Sequence, residues 1–216
     1  MAIRGIESIA DIVVPDTPLA REATELIRSA EDDVLFHHSR RVFLFGALHG
    51  RRLGTHVDLE LLYVAAMFHD LGLTTHYRSS AQRFELDGAD AARQFLLERG
   101  ADRAAADKVW LGIALHTTPG ITARLDAETR LLAAGVTTDV VGVGRSDLAA
   151  ADIDAVVAAH PRPDFKRRIL RAFNDGMKHR PETTFGTMNA DVLAHFDAAF
   201  QRSDLVERIR NSQWPE

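Results

Sequence analysis

Residues 59–70 read LELLYVAAMFHD, an apolar run of helical character that ends in a histidine followed by an aspartate. Burying an imidazole and a carboxylate side by side costs free energy unless a partner compensates them. A divalent metal ion is the partner that this pair favours. His38 precedes the stretch and Asp139 follows it, so the chain offers further ligands of the same kind. The pattern predicts a scaffold built around one metal site.

The bulk composition is that of an ordinary globular protein, with 46% apolar and 26% charged residues among 216. The formal net charge is −5 and no basic segment dominates, so nucleic acid is not expected as a partner. Because cysteine is absent, a metal site must be built from His, Asp and Glu. We find neither a signal-peptide pattern nor an apolar run of about 18 residues, which predicts a cytoplasmic protein without a membrane partner.

Helix start and stop signals predict an all-α fold. Capping residues and apolar periodicity predict helices over 18–30, 32–53, 58–71, 87–99, 102–116, 126–144, 147–159, 164–179, 189–202 and 203–211. Gly135 and the β-branched residues after it are expected to interrupt the sixth helix. Residues 73–86 and 180–188 are predicted loops, and 1–16 an extended arm. No strand pattern of useful length and no linker is found. We therefore expect one domain over 1–216, with a core at about 32–180 onto which the arm and helices 189–211 pack.

Two imidazoles and two carboxylates, from His38, His69, Asp70 and Asp139, suit Zn, Fe or Mn. Neighbouring helical residues point about 100° apart, so His69 and Asp70 share one ion only near a helix end. Gly72 predicts such an end. The alternative is that both histidines are hydrogen-bonded core residues and Asp70 is a helix cap.

In this order, His … His-Asp … Asp, the chain resembles the all-helical HD-domain metal-dependent hydrolases, which implies a compact HD-domain helical bundle. Several stretches are similar to the cyanamide hydratase branch of that superfamily. They are His38-Ser39-Arg40-Arg41-Val42-Phe43-Leu44-Phe45-Gly46, Phe68-His69-Asp70-Leu71-Gly72-Leu73-Thr74, Arg83-Phe84-Glu85-Leu86-Asp87-Gly88-Ala89, Leu115-His116-Thr117-Thr118-Pro119-Gly120-Ile121 and His160-Pro161-Arg162-Pro163-Asp164-Phe165-Lys166.

Two departures from the phosphohydrolase pattern bear on the chemistry. Many such members carry a lysine shortly after His-Asp, where this chain has Leu71-Gly72-Leu73-Thr74. Dinuclear members add two histidines for a second ion; this chain offers Phe84 in place of one and keeps only His116. The resemblance therefore implies one divalent ion, Zn or Fe(II), rather than two.

Four residues outside the ligand set are candidates for contact with a substrate. His116 is either a histidine favoured by the C-terminal end of a helix or a substrate-facing donor or proton shuttle. Glu85 is either a surface carboxylate or one that orients its neighbours. Phe84 and Thr74 complete the set. The densest basic cluster, Lys166-Arg167-Arg168 with Arg171, is either a solvated helix face or an anion site.

The resemblance implies hydration of a small nitrile, of the cyanamide-to-urea type, with Asp70 and His116 as the catalytic residues. The main alternative is an HD-type metal-dependent phosphohydrolase acting on a nucleotide or another phosphate ester. A third is a non-catalytic HD module that binds a ligand or partner, against which the full ligand set argues. The expected partner is a small-molecule substrate. A homo-oligomer is allowed, since the arm and the last helices could exchange between subunits.

Overall fold

The computed structural model describes residues 7–214. Residues 1–6 of the predicted arm lie outside the described residues. The rest of the arm contains a two-stranded antiparallel hairpin, β1 (Ser8–Ile9) and β2 (Ile12–Val13), which the sequence pattern did not reveal. The helices that follow are α1 (Pro18–Ala30), α2 (Asp33–Arg52), α3 (Leu59–Phe68), α4 (Phe84–Glu98), α5 (Arg103–Leu115), α6 (Ala127–Val141), α7 (Ala150–Ala159), α8 (Phe165–Met177), α9 (Asn189–Phe196) and α10 (Leu205–Arg210). The all-α prediction is confirmed.

Side-chain caps account for where several helices begin. The Asp32 carboxylate accepts hydrogen bonds from the amides of Val34 and Leu35 at the start of α2. Asp58, Asp102 and Asp126 cap α3, α5 and α6 in the same way. Each cap satisfies amides that have no partner within the helix, which stabilises the helix by about 1 kcal/mol.

Helices α2 and α6 pack closely because glycine lies at their crossing. A Cβ atom at Gly135 would lie 2.1 Å from the carbonyl oxygen of Val42, and one at Gly46 would lie 2.7 Å from that of Leu131. The prediction that Gly135 interrupts the sixth helix is wrong, since α6 runs unbroken from Ala127 to Val141. The glycine serves a close helix–helix approach instead, and this approach brings α2 and α6 side chains together.

Helix α3 ends at Phe68, before the predicted end at residue 71, and a 3-10 turn follows at Leu71–Leu73. The cause is tertiary, because Gly72 is pressed against α4, where a Cβ would lie 2.1 Å from the Phe84 carbonyl oxygen. His69 and Asp70 therefore occupy the junction between the helix and the turn. Both side chains are buried there.

Helix α4 begins at Phe84 rather than at the predicted Asp87. The Asp87 carboxylate does not cap the helix but accepts hydrogen bonds from the loop at Ser79 and Gln82 and from Arg180. Arg180 is fully buried and also donates to the carbonyl oxygens of Gly72, Ser79 and Gln82. One guanidinium thus ties the loop after His69-Asp70 to the C-terminal part of the chain.

The buried apolar residues form two clusters. The larger lies among α1–α7, which we call the helical bundle. The smaller joins the start of α2, the Leu71–Leu73 turn and the start of α4 to α8 and α9. We call α8, the 3-10 turn Pro181–Thr184 and α9 the C-terminal cover. Helices α9 and α10 are shorter than predicted, and no helix within residues 7–214 has the length and apolarity to cross a membrane.

Candidate metal centre

Helix α2 and the end of α3 bring together His38, His69 and Asp70. The Nε2 atom of His38 lies 3.2 Å from that of His69 and 3.5 Å from Asp70 Oδ2, and His69 Nε2 lies 3.3 Å from the same oxygen. All three side chains are 0% exposed. Within residues 7–214 they form the one group of three or more His, Cys, Asp or Glu whose ligand atoms lie within 4.8 Å of one another.

The outer hydrogen bonds fix which way each imidazole faces. His69 Nδ1 lies 2.7 Å from the Ala66 carbonyl oxygen, and His116 Nδ1 lies 2.6 Å from that of Ile113. His38 Nδ1 lies 2.7 Å from Asp139 Oδ2. Because these oxygens only accept, each Nδ1 carries a proton and donates it. The Nε2 atoms of His38 and His69 therefore turn toward Asp70, as does that of His116, 3.7 Å from Asp70 Oδ1.

Asp70 has a buried charge that the protein leaves without hydrogen bonds. Neither of its carboxylate oxygens has a hydrogen-bond partner within the described chain. Burial raises the pKa of this carboxyl, but the charge of His69 and its contact outweigh burial, and His38 and His116 add to them, so the pKa falls to about 2. An ionised carboxylate that accepts no hydrogen bond in the interior is costly. The cost is offset if a cation binds between it and the imidazoles.

The ionisation of the two inner histidines is consistent with that conclusion. Burial opposes a charge on His69, yet the Asp70 carboxylate raises its pKa above the ordinary value. Burial lowers the pKa of His38 despite the hydrogen bond with Asp139. The centre thus favours one positive charge among these side chains. Neutral imidazole nitrogens and carboxylate oxygens are the ligands that Zn²⁺ and Fe²⁺ accept, so the residues present fit a divalent ion.

Asp139 lies behind His38 rather than beside the other ligand atoms. Its carboxylate accepts hydrogen bonds from His38 Nδ1, from Arg41 Nε and Nη2 at 2.8 and 2.9 Å, and from Arg162 Nη1. Burial raises the pKa of Asp139, but the hydrogen bonds from His38 and Arg41 hold it well below its usual range. A carboxylate that receives the outer N–H of a ligand histidine orients the ring and makes it a better donor. The role of Asp139 as a fourth direct ligand stays a prediction.

Three of the four predicted substrate residues, His116, Phe84 and Glu85, lie near the centre, and the role of Thr74 stays a prediction. The His116 ring centroid is 4.9 Å from that of His69 and 5.6 Å from that of Phe84. Burial and the charge of His69 lower the pKa of His116 to about 4, so its imidazole is neutral at neutral pH. The Thr74 hydroxyl donates a local hydrogen bond to the Leu71 carbonyl oxygen at 2.8 Å.

Glu85 is fully buried, which excludes the alternative that it is a surface carboxylate. Its Oε1 atom accepts hydrogen bonds from Arg83 at 2.8 Å, from Asn189 Nδ2 at 2.9 Å and from the Thr117 hydroxyl. Burial raises its pKa, but the Arg83 hydrogen bond and the nearby His116 outweigh burial and keep the carboxyl ionised. Asn189 lies at the start of α9, so the C-terminal cover contributes directly to this side of the site.

Sequence reasoning missed four residues that contact the ligands or their neighbours. Arg41 holds Asp139 from α2, and its position three residues after His38 on one helix face was a usable signal. The ring centroid of Phe165 lies 5.5 Å from that of His38. The Arg162 guanidinium lies 4.1 Å from the Phe165 ring centroid. No local pattern marks Asn189, which reaches Glu85 only through the tertiary fold.

An all-α protein with a buried His-His-Asp cluster at a helix junction is, by class, a metal-binding helical domain. The family model for the HD domain matches residues 35–158, more than half of the chain, and the protein belongs to that family. HD-domain proteins are generally metal-dependent hydrolases that bind divalent metals, and the His38, His69 and Asp70 cluster is compatible with such activity. No curated protein matches the chain significantly.

Proposed function

We propose that this HD-domain protein adds water to a small nitrile, converting cyanamide to urea or catalysing a closely similar hydration. The observation that carries the proposal is the enclosure of the centre. His38, His69, Asp70 and Glu85 are 0% exposed, and Phe84 and His116 are 1% and 4% exposed. A centre whose side chains are enclosed to this degree fits a linear molecule of a few heavy atoms better than a nucleotide.

His38, His69 and Asp70 would hold one Zn²⁺ or Fe²⁺ ion. Such an ion supplies Lewis acidity and lowers the pKa of a bound water. The ionised Asp70 carboxylate, with both oxygens free of hydrogen bonds, can act as ligand and also accept a hydrogen bond from the reacting water. The apolar rings of Phe84 and Phe165 exclude bulk water from the same space.

His116 is the residue suited to move the proton. Its Nδ1–H donates to the Ile113 carbonyl, so the neutral ring presents an unprotonated Nε2 toward Asp70. This nitrogen takes a proton from the water as its oxygen adds to the nitrile carbon, and gives the proton to the nitrile nitrogen. The resulting isourea rearranges to urea, so one water is consumed for each urea formed. His116 is therefore proposed as a proton shuttle.

Phosphate-ester hydrolysis is the competing proposal, and family membership is its support. A phosphate substrate needs cationic partners at the centre. The residues after Asp70 supply no lysine, and the carboxylate of Glu85 lies buried on the His116 side. Both features favour a neutral substrate.

The test combines elemental analysis with assays on the full-length protein. We expect about one Zn or Fe per chain and urea formed from added cyanamide. Asp70→Ala should lose both the metal and the activity, whereas His116→Ala should keep the metal and lose the activity. His49→Gln is the matched control, because His49 is a buried histidine whose Nε2 contacts Thr138 rather than the centre.

The outcomes separate the proposals. If the protein binds metal, forms no urea from cyanamide and hydrolyses a phosphate ester, the phosphohydrolase proposal replaces the nitrile hydration. Full metal content in Asp70→Ala would show that the centre itself is misassigned, and no metal under any condition would leave a non-catalytic HD module.

A further inference from the structure

A cleft of about 380 Å³ opens beside Asp139, between α6, α7 and the start of α8. Its apolar wall is formed by Phe45, Ile153 and Val157. Its other wall carries the cationic side chains Arg145, Arg162 and Lys166. Asp139 lines the cleft, whereas His38, His69 and Asp70 do not, so the cleft adjoins the metal centre only at Asp139.

Positive charge exceeds negative charge around Asp139, where Arg162 lines the cleft and Arg41 is buried behind it. Arg41 and Arg162 both donate to the Asp139 carboxylate, so two guanidinium groups share one negative charge. Partly buried positive charge in excess of its counterion is costly, and an anion at the mouth of the cleft would relieve the cost.

The donors around the cleft are largely unused. Arg162 makes one side-chain hydrogen bond within residues 7–214, through Nη1 to Asp139, which leaves its remaining N–H groups free. The side chains of Arg145 and Lys166 have neither a hydrogen bond nor an ion pair within the same residues. No acidic residue other than Asp139 lines the cleft. This concentration of positive charge stands out on a chain whose net charge is −5.

We propose that this cleft binds a phosphate group, carried by inorganic phosphate or by a small phosphate ester. The charges of Arg145, Lys166 and the Arg41–Arg162–Asp139 group match an anion with two negative charges better than a carboxylate with one. A guanidinium fork donates two parallel hydrogen bonds to phosphate oxygens, and the ammonium group of Lys166 adds a point charge. The apolar wall leaves room for the organic part of an ester.

Isothermal titration calorimetry of the full-length protein at constant ionic strength tests the proposal. We expect about one inorganic phosphate per chain, with acetate binding at least tenfold more weakly. Phenylphosphonate, whose C–P bond resists hydrolysis, separates the two sources. If phenylphosphonate binds more tightly than inorganic phosphate, the ligand is a phosphate ester whose organic part contacts Phe45 and Val157. If it binds more weakly, the ligand is free phosphate.

Two matched double variants locate the bound anion. Arg145→Gln with Lys166→Gln should weaken phosphate binding at least tenfold, because both residues line the cleft. Arg168→Gln with Arg171→Gln removes the same charge from α8 outside the cleft and should change the affinity less than twofold. Absence of phosphate binding, or equal weakening in the two variants, would overturn the proposal. Since no turnover is measured, failure of the nitrile hydration leaves this result unaffected, and the reverse also holds.

Discussion

The helical bundle and the C-terminal cover meet at the metal centre but are held in place by different interactions. In the bundle, α2 and α6 approach so closely at Gly46 and Gly135 that backbone touches backbone. The cover rests on a much smaller apolar cluster and is tied down by polar contacts, among them Arg180 to the loop after Asp70 and Asn189 to Glu85. Close packing of backbone against backbone holds the bundle together, whereas a few hydrogen bonds hold the cover in place.

This difference separates two tasks. His38, His69, Asp70 and Asp139 all come from the bundle, which, apart from α1, is also the part that the HD-domain model matches. The cover supplies Phe165 and Asn189 and lies beyond the matched residues. A rigid frame is required to hold ligand atoms in place, while a separately anchored layer can set the shape of the substrate pocket. We therefore expect changes in the bundle to affect metal and stability, and changes in the cover to affect substrate binding.

The largest effect is expected from Gly135→Ala, which breaks the close approach in the bundle. The added methyl would lie 2.1 Å from the Val42 carbonyl oxygen, so α2 and α6 must move apart. We expect a loss of about 3 kcal/mol in the free energy of unfolding, the upper end of ordinary overpacking, measured by urea denaturation of the metal-free protein.

Gly112→Ala is the control for this change. Gly112 also lies within a helix, but the nearest atom to an added Cβ is the Thr129 side-chain hydroxyl at 3.3 Å. The gain in helix propensity, up to about 1 kcal/mol, should offset that contact. Equal destabilisation by the two substitutions would show that the bundle does not depend on backbone contact at Gly135.

A second effect, on metal affinity, is expected from Asp139→Asn. If Asp139 orients His38 from behind, the amide keeps an acceptor for Nδ1–H but loses its charge, and metal affinity should fall about 10- to 100-fold. If Asp139 is a direct ligand, binding should be lost almost entirely. Competition with a chelator of known affinity measures the metal affinity of the variant. The size of the loss decides whether Asp139 orients His38 through Nδ1 or binds the metal directly.

The sequence was informative where local chemistry decides the structure. Aspartates followed by helical periodicity correctly predicted the starts of α2, α3, α5 and α6. Prediction from the sequence failed where contact with a distant segment determines the local structure. Asp87 fits the sequence pattern of a helix cap, but its carboxylate accepts hydrogen bonds from Arg180 and from the loop that precedes α4. The end of α3 likewise depends on contact between Gly72 and Phe84, which no local pattern encodes.

The same distinction applies to the candidate site. The order His … His-Asp … Asp predicted which residues gather, and the structure brings His38, His69 and Asp70 together with His116 beside them. The order of residues cannot say whether Asp139 faces the inner or the outer nitrogen of His38. That depends on Arg41 and Arg162, which hold the carboxylate from the far side.

The smallest effect is expected in the cover, from Asn189→Ala. The substitution removes one of the hydrogen bonds that Glu85 Oε1 accepts, a loss worth about 1 kcal/mol. Glu85 then becomes less firmly placed beside His116, so KM for the proposed nitrile substrate should rise about fivefold while metal content stays unchanged. Asn174→Ala is the control, because Asn174 lies in α8 and its side chain makes no hydrogen bond within residues 7–214. Loss of metal in Asn189→Ala would contradict the division of tasks, since it would make the cover part of the frame that holds the ion.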